Sequence, residues 1–245
     1  MPIGTFVGTA AQDIRFASRL LRRQLGATLI TVLTLALAIG ANTAIFSIMD
    51  GLLLRSLPVE DPSHLMLVKW SAHKRPNYHS SSSYGDCVNQ FRGLDLSGCN
   101  FSHPFYEDLR DHAASFSSLA AFGGGEQLNL SGNGQASIAR GNPVSGNYFS
   151  TLGVAAALGR TLQPGDDNPA APPVTVLSYA YWLRDFSGSP DVIGKTVGLN
   201  GVATVIVGVA ARSFTSLTPG NIYDLFVPIS MRPRLTPRWN PRLTV

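Results

Sequence analysis

The chain has 245 residues, room for one large domain or two small ones at about 150 residues each. With 44% hydrophobic and 14% charged residues it is too apolar for disorder, and its two cysteines exclude a disulfide-dense scaffold and any four-cysteine zinc site. The formal charge of +4 is confined to the ends: +3 over residues 1–55, −3 over 56–231 and four arginines in 232–245, so no folded basic face points to nucleic acid.

The first element is a short amphipathic helix. Ile14, Ala17, Ser18 and Leu21 form one stripe, and Arg15, Arg19, Arg22 and Arg23 lie mostly around the other side. Such a segment lies in the headgroup plane, and residues 1–24 read as an interfacial elbow. Between Arg23 and Asp50 no residue carries a formal charge, which leaves 26 residues, 24–49. As a helix these reach roughly 39 Å, more than the ~30 Å hydrocarbon core of a bilayer. A cleaved signal peptide and a buried core helix are the competing readings. Against the first, the apolar run continues well past Ala36-Leu37-Ala38, the best imitation of a cleavage site. Arginines before the span and only Arg55 close after it place the N-terminus in the cytoplasm and the body outside. Ala36, Gly40 and Ala44 recur every four residues, letting another membrane helix approach closely; Asn42 near them is costly against lipid and is expected to face protein or the interface. The transmembrane and stalk helix is expected over 25–54, and Leu57-Pro58 breaks it.

In the body, His64–Trp70 reads as a first strand, and 71–101, rich in Ser, Gly and Asn, as a surface insertion. Cys87 and Cys99 fall within it; outside the cytoplasm they suit a disulfide closing a short loop, two separate thiols being the alternative. A helix is expected over 103–116, with Glu107 and Asp108 in its first turn. Strands 119–130 and 135–144 join at Gly132-Asn133-Gly134, and Ser145–Leu152 is a short helix ended by Gly153. Val174–Leu177 is a buried strand and Ser178 caps a helix to about Phe186. Thr196–Leu199 and Ala203–Val209 pair around Asn200-Gly201, and Leu225–Pro228 is a last strand. Strands and helices mix without strict alternation, so the body is α+β.

Two decoys are set aside. Gly188–Thr196 imitates a phosphate-binding loop, but five residues separate its glycines where four are required, Ser189 takes a glycine position, and Thr196 begins a strand where the motif needs a helix. His103 and Glu107, with Asp111 and His112, lack a third ligand placed by any metal motif, and a solvated helix face explains them. Ser178 is a cap rather than a nucleophile, and no catalytic motif is present, so no enzyme activity, metal site or cofactor site is expected.

Several stretches together resemble ABC transporter permeases of the MacB/FtsX type, particularly the acidobacterial-type duplicated permeases. They are Asp13–Ala17 with Leu21-Arg22-Arg23, Leu33–Ser47, Leu53–Pro58, Val144–Phe149, Leu152-Gly153-Val154, Leu158-Gly159-Arg160, Asp166-Asp167, Val176–Tyr179 with Trp182, Val192–Thr196, Leu199-Asn200-Gly201 and Val207-Gly208-Val209. The resemblance implies a first transmembrane helix followed, over 55–245, by a periplasmic core domain, a porter-like α/β unit with an inserted β-rich subdomain, incomplete at its C-terminus. It implies a permease subunit in the bacterial inner membrane, part of an ABC-type export or mechanotransmission system. Its partners would be membrane lipid, further permease helices or a second permease half, and a cytoplasmic ABC ATPase that binds the ATP, with Arg15, Arg19, Arg22 and Arg23 on the ATPase side. A stand-alone membrane-anchored periplasmic binding or adaptor module is the alternative.

Overall fold

The computed structural model describes residues 15–17, 19, 21–49, 59–73, 96–132, 136–218 and 220–236, and the chain divides into two units, Met1–Arg55 and Ser56–Val245.

In the first unit, α1 (Leu25–Met49) is apolar around its whole circumference and exposed along its length. Leu25–Ser47 within it is long and apolar enough to cross a membrane. The hydroxyls of Thr31, Thr34 and Thr43 donate to the carbonyls of Ala27, Ile30 and Ile39, one turn back, so these side chains satisfy themselves without water. Upstream, residues 15–17, 19 and 21–23 are helical. The end expected at residue 54 and the break at Leu57-Pro58 fall outside the described residues.

The second unit is built on strands. Strand β1 (Trp70–Ala72) pairs antiparallel with β2 (Leu96–Gly98), closing the base of the expected insertion. After β2 comes α2 (His103–His112), which begins where Ser102 accepts a hydrogen bond from the Phe105 N–H. It ends four residues short of the expected 116, and Glu107 and Asp108 fall past its first turn. Then follow β3 (Glu126–Ser131), β4 (Ser137–Val144), α3 (Tyr148–Thr151), β5 (Ala156–Gly159), β6 (Val174–Leu177), α4 (Tyr179–Phe186), β7 (Thr196–Leu199), β8 (Val202–Ala210), β9 (Leu225–Pro228) and α5 (Arg232–Leu235).

Seven strands form one mixed sheet in the order β5-β8-β6-β9-β4-β3-β7, and β7 pairs with β8 as well. Six strands therefore close into a ring. Closure is possible because β8 is long enough to carry two neighbours on one edge, β7 along 202–205 and β5 along 208–210. Full pairing removes open edges from the ring.

Both faces of the sheet are buried, and alternation sorts the side chains. On β9, Leu225 and Val227 join one core with Ile206, Val209 and the α4 residues Tyr181 and Phe186, while Phe226 joins another with Tyr148, Phe149 and Phe214. In the second core Phe149 meets Phe226 edge to face at 5.2 Å between ring centroids. A third, smaller cluster of Tyr106, Ala121 and Ile229 docks α2.

Several expectations hold. Ser178 caps α4 by accepting from the Tyr181 N–H, and the hairpin at Asn200-Gly201 forms with Asn200 in the left-handed region at φ 47°. Others need correction. The strand expected over His64–Trp70 starts only at Trp70. Asp61 caps a 3-10 turn over Pro62–His64, and Leu65–Lys69 join no ladder among the described residues. The strand expected from 119 starts at Glu126, because Gly123-Gly124-Gly125 weakens the ladder and leaves a single bridge, Phe122 to Val144. The helix expected over Ser145–Leu152 is only Tyr148–Thr151. The unexpected β5 is an Ala-Ala-Leu-Gly segment of low strand propensity, held by its pairing with β8.

Candidate functional site

A cleft of about 710 Å³ opens in the second unit. Its lining includes the segments Leu65–Val68 and Leu119–Gly124, Phe105, Tyr106 and Leu109 of α2, and Tyr148 and Leu152. The lining is largely apolar, and Met66 and Leu67 are exposed at 76% and 52%. Glu60 and Asp61 supply negative charge to the lining, and no Lys or Arg is among the described lining residues. Hydrogen bonds from Ser63 and then His64 hold the Asp61 carboxyl down at about 2, so it stays anionic.

Tyr148 is 1% exposed, and its hydroxyl makes no hydrogen bond. Burial raises its pKa far above the ordinary phenol, with Tyr223 adding to the effect, so it remains a neutral donor.

Behind the cleft the residues of Val144–Phe149 form a polar hub. The Ser145 hydroxyl accepts from the Ala121 N–H at 2.9 Å and donates to Asn147 Oδ1 at 2.8 Å, while Asn147 Nδ2 donates to the Leu119 carbonyl at 2.9 Å. The Asp167 carboxylate takes the Gly146 N–H at 3.1 Å and the Ser230 N–H at 2.9 Å. A Cβ on Gly146 would lie 2.4 Å from the Gln163 carbonyl oxygen, so only glycine fits there. Asp166 receives a forked pair from Arg160 at 2.6 and 2.9 Å. Burial alone would raise Asp166; the Arg160 and Gln163 hydrogen bonds outweigh it and lower its pKa. Ser145 is engaged on both sides by amide groups, with no base to activate it. These groups position backbone rather than transfer protons.

The residues singled out in the sequence fall as follows. Ala36, Gly40 and Ala44 follow one line along α1 and are exposed, and a Cβ on Gly40 meets nothing within 4 Å. Asn42 projects about 200° round the helix from Gly40, off the line of the stripe. Arg15, Arg19, Arg22 and Arg23 are exposed. Cys99 is disulfide-bonded and lines the cleft; Cys87, the other cysteine of the chain, lies outside the described residues. His103 stands 3.7 Å from Glu107, and no metal-holding group of three His, Cys, Asp or Glu occurs among the described residues. Thr196 opens β7, not a helix. Sequence reading passed over the cleft itself. It is lined by parts of the strands expected over 64–70 and 119–130, neither of which forms along its full length.

A family model described as the MacB-like periplasmic core domain matches residues 28–245. No curated protein matches. Among solved structures, the extracellular domain of the noncanonical ABC-type transporter YknZ from Gram-positive bacteria is similar at 14% identity and TM-score 0.43, over 55% of this chain and 66% of that one. The periplasmic region of MacB from Actinobacillus actinomycetemcomitans is similar at 19% identity and TM-score 0.47, over 59% of this chain and 62% of that one. The chain thus spans less than two thirds of each.

Proposed function

The chain belongs to the family of MacB-like periplasmic core domains of ABC transporter permeases, and we propose that it is the N-terminal portion of a permease subunit in the bacterial inner membrane, coupling a cytoplasmic ATPase to a periplasmic domain in export or mechanotransmission. The observation that carries the reading is the continuity of the family match, which starts inside α1 and runs through the whole sheet unit. The uninterrupted hydrogen bonding of α1 makes it a stiff rod, suited to passing displacement across a bilayer rather than opening a pore through it. Arg15, Arg19, Arg22 and Arg23 hold its N-terminal side in the cytoplasm, beside the ATPase that binds ATP. The small faces of Ala36, Gly40 and Ala44 receive further permease helices, and Asn42 bonds to protein on the other side.

Topology tests it directly. Ile222 is 64% exposed in the sheet unit. In the Ile222→Cys variant, a membrane-impermeant maleimide is expected to label the thiol once the outer membrane alone is permeabilised. Labelling that requires rupture of the inner membrane would put the sheet unit in the cytosol and end the proposal. A cysteine at 222 labelled on a chain released by alkaline carbonate would favour a peripheral adaptor instead.

A further inference from the structure

Two of the segments that line the cleft carry backbone groups without a strand partner among the described residues. In one, the Gly123 N–H donates to the Pro143 carbonyl at 2.7 Å and the Ser145 N–H to the Ala121 carbonyl at 2.8 Å. These bonds flank the antiparallel bridge between Phe122 and Val144. In such a bridge the N–H and C=O of the central residue point away from the partner strand. Those of Phe122 therefore face away from β4, and Phe122 lines the cleft. In the other, Met66, Leu67 and Val68 take part in no backbone hydrogen bond among the described residues, although the segment leads straight into β1.

We propose that this cleft is a docking slot for an extended apolar segment of a second polypeptide, which adds as a strand along Ala120–Gly124 and Met66–Val68. Strand addition uses main-chain groups for affinity and alternate side-chain pockets for selectivity, and both are present. The Phe122 groups that turn away from β4, and those of Met66–Val68 that have no bond among the described residues, supply the main-chain groups. The apolar side chains that line the cleft, among them Leu65, Leu67, Phe105 and Phe122, supply the pockets. An acyl chain would leave the backbone groups of Phe122 and Met66–Val68 unpaired, which argues for peptide. The lining sets the charge of the partner: Glu60 and Asp61, the latter paired with His64, and no Lys or Arg among the described lining residues, fit an apolar run flanked by basic residues. The inference stands on the sheet unit alone and does not depend on the coupling proposed for α1.

The test is anisotropy of a fluorescent peptide of alternating valine and threonine with lysines at both ends, titrated with the full chain in phosphatidylcholine nanodiscs against empty nanodiscs. Saturable binding is expected. Methylating alternate amide nitrogens of the peptide, so that it cannot pair, is expected to weaken binding at least about tenfold. Successive residues of a strand point their amides to opposite sides, so one of Met66→Pro and Leu67→Pro is expected to weaken binding and the other to leave it near wild type. Equal binding of the methylated peptide, wild-type affinity in both proline variants, or absence of saturable binding would overturn the proposal. Binding that appears only after removal of residues 237–245 would assign the slot to the chain's own end and overturn it too. Should a proline variant fail to fold, the methylated peptide decides alone.

Discussion

Asp167 holds two separated pieces of chain through their backbone, Gly146 before α3 and Ser230 after β9. Replacing it by alanine leaves two partly buried amides without acceptors, and a loss of about 2–4 kcal/mol is expected by chemical denaturation. Gly146→Ala attacks the same junction by crowding: its Cβ would sit 2.8 Å from the Pro164 Cα as well as against the Gln163 oxygen, both backbone atoms that cannot rotate away. We expect about 2–3 kcal/mol of destabilisation, with the two losses less than additive in the double variant because they break one contact. Asp166 carries a pH signature. Its folded pKa lies below the unfolded value, so it contributes stability above the unfolded value that is lost as pH falls through the folded one. The Arg160 partner is 40% exposed, so solvent screening limits the effect to roughly 1 kcal/mol or less. Stability curves of the wild type and Asp166→Asn are expected to differ at neutral pH and converge on acidification below about pH 4. A constant gap throughout would show that the pair adds no pH-dependent stability.

At the scale of elements, the β7–β8 turn does more than reverse the chain. Asn200 accepts from the Asn129 N–H at 2.8 Å and donates from Nδ2 to the Leu235 carbonyl at 2.9 Å, tying the hairpin to β3 and α5. Asn200→Gly keeps the left-handed backbone but loses both bonds, at about 1–2 kcal/mol. Asn200→Ala loses the bonds and strains the backbone, at roughly 1 kcal/mol more. The order wild type, Gly, Ala in melting temperature checks this, and inversion of the last two would remove the backbone from the account. That hairpin was legible from Asn200-Gly201 between apolar runs, as β6 and β9 were from Val174–Leu177 and Leu225–Pro228, because each signal is local. The β5 strand was not, since Ala156–Gly159 becomes a strand only when Gly208 lets it close in; a Cβ there would lie 1.9 Å from the Arg160 carbonyl oxygen. The cleft was not either. Its lining includes Leu65–Val68, which joins no ladder among the described residues, and Leu119–Gly124, held to β4 by one bridge only, and an incomplete ladder is not a local property of the residues in it.

For the molecule as a whole, the two units obey different solvents. In α1, apolar side chains such as Leu29, Leu33, Leu37 and Ile45 are more than half exposed, an arrangement stable in lipid and sticky in water. The sheet unit follows the opposite rule. Every buried residue of its three clusters, and every partly buried one packed on them, lies between Val59 and Leu235, and six of its strands close without free edges. Among the described residues its core is built within the unit itself, and a chain beginning at Ser56 is expected to fold, stay soluble without detergent, and unfold in one cooperative transition near the melting temperature of the full-length protein. In that shortened chain, Phe149→Ala is expected to cost about 3–5 kcal/mol, because the ring is fully buried among Tyr148, Phe214 and Phe226 and its loss leaves a cavity. Circular dichroism melts of both chains make the comparison. If the chain from Ser56 aggregates or melts without cooperativity, the sheet unit needs the membrane segment to fold, and the separation of the two cores fails as an account of its stability.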